Sequence, residues 1–311
     1  MFEKLLLKTN GITMHVRCAG PQQGPLLVLL HGFPEFWYGW REYIQFFAKA
    51  GFRVVAPDQR GYGETDKPEG VEAYRIDVLA NDIFGLADAL GYQKFCIAGH
   101  DWGASVAWWM ATRNGSRIER MAILNAPHPA VWMNEMQRDP RQRKLSRYVR
   151  LLRVRAVPEL LIRAGRFRGL AKAFEQSTRA LQAFTPEIMG AYYEAWRRPS
   201  ALTAMLNWYR ALFKQAFALP MLGSIRTPTL ILWGDRDAFA IPELAERSAV
   251  LCNNAIVRHF PKATHWLQHD IPNLMHQELL GFFAPVIHRQ GASSALQGRS
   301  AFKFWNESTK P

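Results

Sequence analysis

Short apolar runs alternate with helix-like stretches along the first 125 residues. Mostly apolar runs of strand length occupy 26–30, 53–56, 95–98 and 120–125, as expected for parallel strands that are covered on both faces. The stretches 36–50 and 74–90 have the pattern of helices, and a glycine follows the second. Residues 3–18 predict two strands joined by a hairpin turn at Thr-Asn-Gly. This alternation predicts an α/β fold with a mostly parallel central sheet flanked by helices.

The pattern changes after residue 129. Residues 130–221 contain no apolar run that predicts a buried strand, and their helical segments are rich in Arg, Trp and Tyr and are broken by prolines. We interpret this stretch as an inserted helical cap. Strand-like runs return at 229–233 and 255–260, and a closing helix is predicted over 271–287. The sequence therefore predicts a core in two parts, 1–129 and 222–289, with a polar C-terminal tail at 290–311.

Composition places the chain among globular proteins. It has 311 residues with 49% hydrophobic content, which is enough for a large core. No apolar run reaches the length of a membrane span, and the N-terminus lacks the pattern of a signal peptide. We therefore expect a cytoplasmic protein without a membrane span. The three cysteines lie far apart without the spacing of metal ligands, so we expect no metal and no cofactor.

The positive charge is concentrated in one segment. About ten of the thirteen excess positive charges lie between Arg138 and Arg179. Because no nucleic-acid-binding motif accompanies them, we expect no nucleic-acid partner and interpret the segment as a solvated basic face. Contact with a membrane surface or another polyanion is the alternative. The sequence also leaves a homodimer possible.

The run 95–98 leads directly into Gly-His-Asp-Trp-Gly at 99–103 and then into a helix-like stretch. Small residues on both sides of Asp101 are typical of a nucleophile that sits on a strained turn between a strand and a helix. A carboxylate is already ionised at neutral pH, so it needs no base to activate it. The alternative is that Asp101 simply caps the following helix, a position that aspartate favours.

Three further motifs follow predicted strands. They are His-Gly-Phe-Pro at 31–34, Gly-Asp-Arg-Asp at 234–237 and Thr-His-Trp at 264–266. Loops at the carboxyl ends of parallel strands line the active sites of α/β proteins, so the first loop should face Asp101. The backbone N–H groups of Phe33 and Trp102 would then form an oxyanion hole.

Together, the four motifs resemble those of the epoxide hydrolase branch of the α/β-hydrolase superfamily, which is close to the haloalkane dehalogenases. The resemblance covers about residues 3–288. It implies that Asp101 attacks an epoxide carbon, that His265 activates water against the resulting ester, and that Asp237 orients His265. Asp235 competes for the third role, but the family motif places the acid last. Some dehalogenases place the acid near position 125, where this chain has Asn125.

The resemblance also implies tyrosines in the cap that protonate the epoxide oxygen. Tyr209, in Asn-Trp-Tyr-Arg at 207–210, matches the family motif, and Tyr148 is the candidate for the second. Some members carry that tyrosine three residues later, where this chain has Leu151. The alternative for both tyrosines is packing within the cap. The residues expected to contact substrate are Phe33, Trp102, Tyr148, Tyr209 and Trp266.

The function that these residues imply is cofactor-independent conversion of an apolar or aromatic epoxide, with water, to a vicinal diol. A haloalkane dehalogenase is the alternative enzyme, since the indole N–H of Trp102 can donate to a halide. A non-catalytic binding protein of the same fold is the alternative from another class. A serine esterase is excluded because aspartate occupies the nucleophile position in the turn, unless Ser105 acts from the helix, where its geometry is wrong.

Overall fold

The computed structural model describes residues 2–175, 177–215 and 217–287. The polar tail predicted at 290–311 lies outside the described residues. In the described part, eight strands form one sheet in the order β1-β2-β4-β3-β5-β6-β7-β8. The strands are β1 Glu3–Thr9, β2 Ile12–Ala19, β3 Leu26–Leu30, β4 Arg53–Pro57, β5 Phe95–His100, β6 Ile118–Leu124, β7 Thr229–Gly234 and β8 Ala255–Phe260. Strand β2 is antiparallel to β1 and β4, and the other neighbouring pairs are parallel.

The central strand β3 shows why apolar runs form the middle of this sheet. Leu26, Val28 and Leu30 point into one hydrophobic core, while Leu27 and Leu29 point into the other. Successive side chains of a strand face opposite sides of the sheet, so a strand covered on both faces needs an apolar residue at every position. Each fully buried leucine contributes about 1.5–3 kcal/mol through the hydrophobic effect. The predicted fold is confirmed.

Helices cover both faces of the sheet. The core helices are α1 Arg41–Lys49, α2 Ile76–Ala89 and α3 Trp102–Asn114. Helix α1 packs in the same core as the closing helix over 272–287, and α2 and α3 pack in the core on the other face. Within the described residues, no helix is both long enough and apolar enough to cross a bilayer.

A helical insertion, which we define as residues 129–212, separates β6 from β7. Its helices are α4 Pro129–Arg138, α5 Pro140–Leu145, α6 Arg147–Leu152, α7 Val157–Ala164, α8 Arg168–Glu175, α9 Pro186–Arg197 and α10 Ala201–Leu212. The indole N–H of Trp196 donates to the carbonyl of Pro34 at 2.6 Å, and that of Trp208 donates to the carbonyl of Arg60 at 3.0 Å. These bonds attach α9 and α10 to loops that follow β3 and β4. The assignment of 130–221 as a separate cap domain stays a prediction.

After β7 come the short helices α11 Leu244–Ala249 and α12 Leu267–Asp270, and the chain then enters the closing helix. The loops between β7 and α11 and between β8 and α12 lie at the carboxyl ends of neighbouring parallel strands. They therefore bring their residues to the same edge of the sheet as the turn after β5.

Candidate active site

Asp101 occupies a strained turn between β5 and α3. Its backbone dihedrals are φ 51° and ψ −120°, an unfavourable conformation for a residue with a side chain. A Cβ atom on Gly99 would lie 2.6 Å from the backbone nitrogen of Ala104, and one on Gly103 would lie 2.3 Å from the carbonyl oxygen of Leu30. The two glycines are therefore required by the close approach of α3 to β5 and β3.

The loop after β3 approaches Asp101 closely. A Cβ atom on Gly32 would lie 2.4 Å from the Cβ of Asp101, so only glycine fits there. The backbone N–H of Phe33 donates to Oδ1 of Asp101 at 2.8 Å. Among the described residues, no hydrogen bond makes this carboxylate a cap of α3. The carboxylate of Asp101 therefore contacts the Phe33 N–H, one of the two donors of the predicted oxyanion hole. Trp102, whose N–H is the other predicted donor, follows Asp101 at the N-terminus of α3.

His265 lies between two carboxylates. Its Nδ1 is 2.8 Å from Oδ2 of Asp237, and its Nε2 is 3.6 Å from Oδ2 of Asp101. Oδ1 of Asp237 accepts hydrogen bonds from the backbone N–H groups of Phe239 and Ala240 at 2.7 and 3.2 Å. The loop after β7 therefore fixes Asp237 in place, and Asp237 orients the imidazole so that Nε2 faces Asp101.

Asp235, the competing acid, has a different partner. Its Oδ1 lies 2.5 Å from Nδ1 of His259, whose Nε2 lies 2.6 Å from a carboxylate oxygen of Glu246. The structure thus places Asp237, two residues later, next to His265. The two carboxylates separate because side chains two residues apart in a turn can point in different directions.

The electrostatics of the site keep Asp101 ionised. Burial raises the pKa of Asp101, but hydrogen bonding and charge from His265, together with the amide of Phe33, outweigh it and lower the pKa below its usual value. Burial lowers the pKa of His265, but the carboxylates of Asp237 and Asp101 outweigh it and raise the pKa to about 10. At neutral pH the site therefore holds an aspartate and an imidazolium.

Two tyrosines from the helical insertion line one cavity together with this pair. Tyr148 on α6 and Tyr209 on α10 have ring centroids 6.3 Å apart, and Tyr209 also packs edge-on against Trp102 at 5.1 Å. Burial and nearby charge, including that of Asp101, raise the pKa of the Tyr209 phenol. Partial desolvation and the charge of Asp101 raise the pKa of the Tyr148 phenol in the same direction, although 36% of this residue is exposed. Both phenols therefore stay protonated at neutral pH. The cavity has a volume of about 70 Å³. It is lined by Asp101, Trp102, Ser105, Asn125, Ala126, Pro127, Pro129, Trp132, Tyr148, Tyr209, Leu212, Phe239, Ala240 and His265.

Residues 25–272 match the family model described as the alpha/beta hydrolase fold. The chain is 43% identical over 277 residues to the AB hydrolase superfamily protein YfhM of Bacillus subtilis (strain 168), covering 89% of this chain and 96% of that protein. It is also 37% identical over 289 residues to epoxide hydrolase 4 of Mus musculus, covering 91% and 79%. The chain belongs to the alpha/beta hydrolase superfamily.

Solved structures agree with this membership. The crystal structure of Bacillus megaterium epoxide hydrolase in complex with an inhibitor is similar with a TM-score of 0.82 and 30% sequence identity, covering 90% of this chain and 100% of that one. A structure described as a novel epoxide hydrolase of the superfamily from metagenomes of hot environments gives a TM-score of 0.80 and 34% identity, covering 91% and 98%. The predicted resemblance to the epoxide hydrolase branch is confirmed.

Three of the five residues that we expected to contact substrate line the cavity of this superfamily member. They are Trp102, Tyr148 and Tyr209. The side chain of Phe33 instead packs edge-on against Tyr209 at 5.2 Å, so Phe33 reaches Asp101 only through its backbone N–H. Trp266 is not among the described residues that line the cavity, and its contact with substrate stays a prediction. Trp266 is 1% exposed and lies behind His265, where its indole N–H donates to Ser177 at 2.7 Å.

Two aromatic residues of the cavity belong to none of the sequence motifs and were not predicted. Trp132, on α4, and Phe239, in the loop after β7, both line the cavity, and the ring of Phe239 also packs edge-on against His265 at 4.9 Å. An aromatic residue near the start of a segment that follows a sheet strand is the only available signal for Trp132. Such a signal is common in cores and does not by itself indicate a pocket.

A buried polar cluster also escaped the sequence analysis. Glu35 is 1% exposed and accepts hydrogen bonds from Tyr192 at 2.7 Å and Gln268 at 3.0 Å, and it lies 2.8 Å from Nε2 of His269. His100 lies between this cluster and the active site, with its Nε2 2.9 Å from the carbonyl oxygen of His265. The cluster thereby supports the backbone of His265 from behind.

Proposed function

We propose that this protein is an epoxide hydrolase that opens apolar or aromatic epoxides to vicinal diols through a covalent ester on Asp101. The observation that carries the proposal is that an ionised Asp101 and two protonated tyrosines, Tyr148 and Tyr209, line one cavity. An epoxide needs a nucleophile at carbon and an acid at oxygen. The cavity offers both within an aromatic and apolar lining.

The two oxygens of Asp101 have different surroundings, which supports a division of labour. Oδ1 accepts the Phe33 N–H, whereas Oδ2 is on the side of His265. In our proposal Oδ2 attacks an epoxide carbon, the carbon–oxygen bond of the ring breaks, and the ring oxygen takes a proton from a tyrosine. We assign Tyr209 as the proton donor and Tyr148 as a second hydrogen-bond donor to the ring oxygen.

The high pKa of His265 fits the next proton transfer. The imidazolium returns a proton to the tyrosinate, directly or through water, which leaves a neutral imidazole. Loss of the Asp101 charge on ester formation favours this step, because that charge is one of the two that raise the pKa of His265. His265 thus becomes a base only after the ester has formed.

Ester hydrolysis then closes the cycle. His265 takes a proton from water, and the hydroxide oxygen attacks Cγ of Asp101. The resulting oxyanion at Oδ1 is held by the N–H of Phe33, with the N–H of Trp102 as the second donor. The bond from Cγ to the ester oxygen breaks, the diol oxygen takes the proton from His265, and the new carboxylic acid returns a proton to the imidazole.

The test is diol formation from styrene oxide and from the smaller 1,2-epoxybutane, with wild type, Asp101→Ala and His265→Gln. We expect diol from the wild type, no diol from Asp101→Ala, and a protein mass increased by one substrate in His265→Gln, because that variant forms the ester without hydrolysing it. Alanine is preferred to asparagine at position 101, since the His265 and water pair can hydrolyse an amide back to aspartate.

Oxygen isotope tracing tests the covalent route independently. In a single turnover in ¹⁸O-labelled water with excess enzyme, the label should enter the Asp101 carboxylate and not the diol. Label in the diol during the first turnover contradicts the proposal, because it indicates direct attack by water.

The alternatives give different outcomes in the same assays. Halide release from 1-bromobutane without diol formation assigns the chain to the haloalkane dehalogenases, for which the indole N–H of Trp102 in the cavity is a halide donor. Failure to turn over either class across a wider panel of substrates favours a binding protein.

A further inference from the structure

One surface of the helical insertion combines exposed apolar side chains with dense positive charge. Between residues 147 and 168, five aliphatic side chains are 46–68% exposed: Leu151, Val154, Val157, Leu160 and Leu161. Seven arginines, all exposed, are interspersed with them from Arg147 to Arg168. We call residues 147–168 the basic apolar surface.

The charge of this surface is not balanced locally. Glu159 is the one acidic residue in the segment 147–168, and its side chain is only 12% exposed because it pairs with Arg210 on α10 at 2.8 Å. The guanidinium of Arg210 also donates to the carbonyl of Val154 at 2.7 Å, which fixes the link between α6 and α7 to α10. Glu159 thus contributes to internal packing, and the outward face presents arginine and aliphatic groups.

No part of the chain among the described residues covers these apolar side chains. Leu160 and Leu161 on α7 are 68% and 55% exposed, whereas Pro158 on the same helix is buried. Single exposed leucines need no explanation, but an apolar patch rimmed by polar residues marks an interaction site. Val157 and Leu160 line one surface depression together with Arg155. The group also adjoins the cavity, because Leu151 lies three residues after Tyr148 on α6, one helical turn away.

We infer that the basic apolar surface binds the surface of an anionic lipid bilayer, with the leucines and valines inserted between lipids and the arginines at the headgroups. Membrane-surface helices have this combination of basic and aliphatic residues, and arginine stems can lie along apolar surface while their head groups reach phosphate. A bilayer is the partner that satisfies both parts of the surface together.

Two other occupants fit the surface less well. In a two-fold dimer formed through this surface, the same patch would face itself, so the seven arginines of each copy would meet those of the other. A nucleic acid would pair with the arginines but would leave exposed aliphatic groups such as Leu160 and Leu161 against phosphates. Charge complementarity therefore favours the anionic bilayer.

The test is co-sedimentation of the full chain with vesicles of phosphatidylcholine alone and of phosphatidylcholine mixed with phosphatidylglycerol. We expect binding to the anionic vesicles, little binding to the neutral ones, and weakening at high salt because salt screens the headgroup charge. Arg150→Gln/Arg155→Gln/Arg163→Gln should weaken binding roughly 100-fold, from about a fivefold loss for each cation removed near the membrane.

Matched variants separate the two parts of the surface from general effects. Lys94→Gln/Arg226→Gln/Lys262→Gln removes the same charge from exposed positions outside the surface and should leave binding within about twofold of wild type. Leu160→Ser/Leu161→Ser should weaken binding at least tenfold, whereas Met221→Ser/Leu222→Ser, at two other highly exposed apolar residues, should not. Circular dichroism should show all four variants folded.

Several outcomes overturn the inference. They are equal binding to neutral and anionic vesicles, equal losses in the matched charge variants, and retention of binding by Leu160→Ser/Leu161→Ser. No binding to either vesicle also overturns it. A dimer in analytical ultracentrifugation that Leu160→Ser/Leu161→Ser dissociates would assign the surface to a second copy of the chain. The binding assay does not depend on turnover, so it stands apart from the proposed epoxide hydrolysis.

Discussion

The side-chain amide of Asn125 donates a hydrogen bond of 2.8 Å to Oδ2 of Asp237, the same oxygen that faces His265. Asn125 also accepts the backbone N–H of Gly234 at 3.0 Å, so the residue after β6 fixes the loop after β7. Some dehalogenases place the acid near position 125. In this chain that position is Asn125, which holds Asp237, the acid in the loop after the neighbouring strand β7.

Asp237→Asn should reduce diol formation by about 10⁴-fold, as expected when the acid of a catalytic triad is lost and the histidine takes the wrong tautomer. The loss should fall mainly on ester hydrolysis, so mass spectrometry should show the alkylated enzyme accumulating. Asp235→Asn is the matched control and should retain most of the activity, because Asp235 pairs with His259. Equal losses in both variants would contradict the assignment of Asp237.

Asn125→Ala should lower kcat about tenfold, which corresponds to the loss of one charge-assisted hydrogen bond to Asp237. The double variant Asn125→Asp/Asp237→Asn should be more active than Asp237→Asn alone, since it returns a carboxylate to the same pair of strand ends. Steady-state kinetics of the three variants measures both effects. An inactive double variant with a native circular dichroism spectrum would show that the acid must come from β7.

The raised pKa of His265 links protein stability to pH. A histidine whose pKa is about 6.5 in the unfolded chain and about 10 in the folded one stabilises the fold fully below pH 6.5 and loses that contribution as pH rises through 10. Urea unfolding of wild type should therefore show a free energy that falls by a few kcal/mol more over this range than that of His265→Gln. Parallel pH profiles for the two proteins would contradict the raised pKa.

Tyr209→Phe should lower the rate of ester formation with an epoxide by 10²–10⁴-fold, the usual contribution of a general acid. Tyr148→Phe should have a smaller effect, and the double variant should lose more than either. Tyr193→Phe is a matched control, since this half-buried tyrosine packs against Trp196 on α9. Single-turnover measurement of the alkylation rate checks the relative sizes of these losses. An unchanged rate in Tyr209→Phe would show that Tyr209 is not the acid.

We predict that Trp132 limits the size of the substrate. It lines the small cavity and contacts Phe213 edge-on with 6.3 Å between ring centroids. Trp132→Ala should raise kcat/KM for phenyl glycidyl ether relative to 1,2-epoxybutane by about tenfold, since the added volume removes a clash of order 1–2 kcal/mol. Trp109→Ala is the matched control, because this half-buried tryptophan lies on α3 and not among the cavity-lining residues, and it should leave the ratio unchanged. An unchanged ratio in Trp132→Ala would place the limit elsewhere.

The amino-acid sequence by itself determined the sheet and the turn at Asp101. Strand β3 is predictable because each of its residues must be apolar to be covered on both faces, and the turn at Asp101 because Gly99 and Gly103 leave room that other residues would fill. Both features depend on neighbours close in the chain. Periodicity and residue size are sufficient signals for such features.

Only the tertiary structure decided which aromatic residues line the cavity and which side chains hold Asp237 and His265 in place. Asn125 and Asp237 are 112 positions apart, and Glu35 and His269 are 234 apart. Trp266 follows His265 directly, yet its ring turns into the core while the imidazole faces Asp101. Contacts of this kind depend on how the strand ends come together and on where each side chain points. A local pattern of residues predicts neither of these.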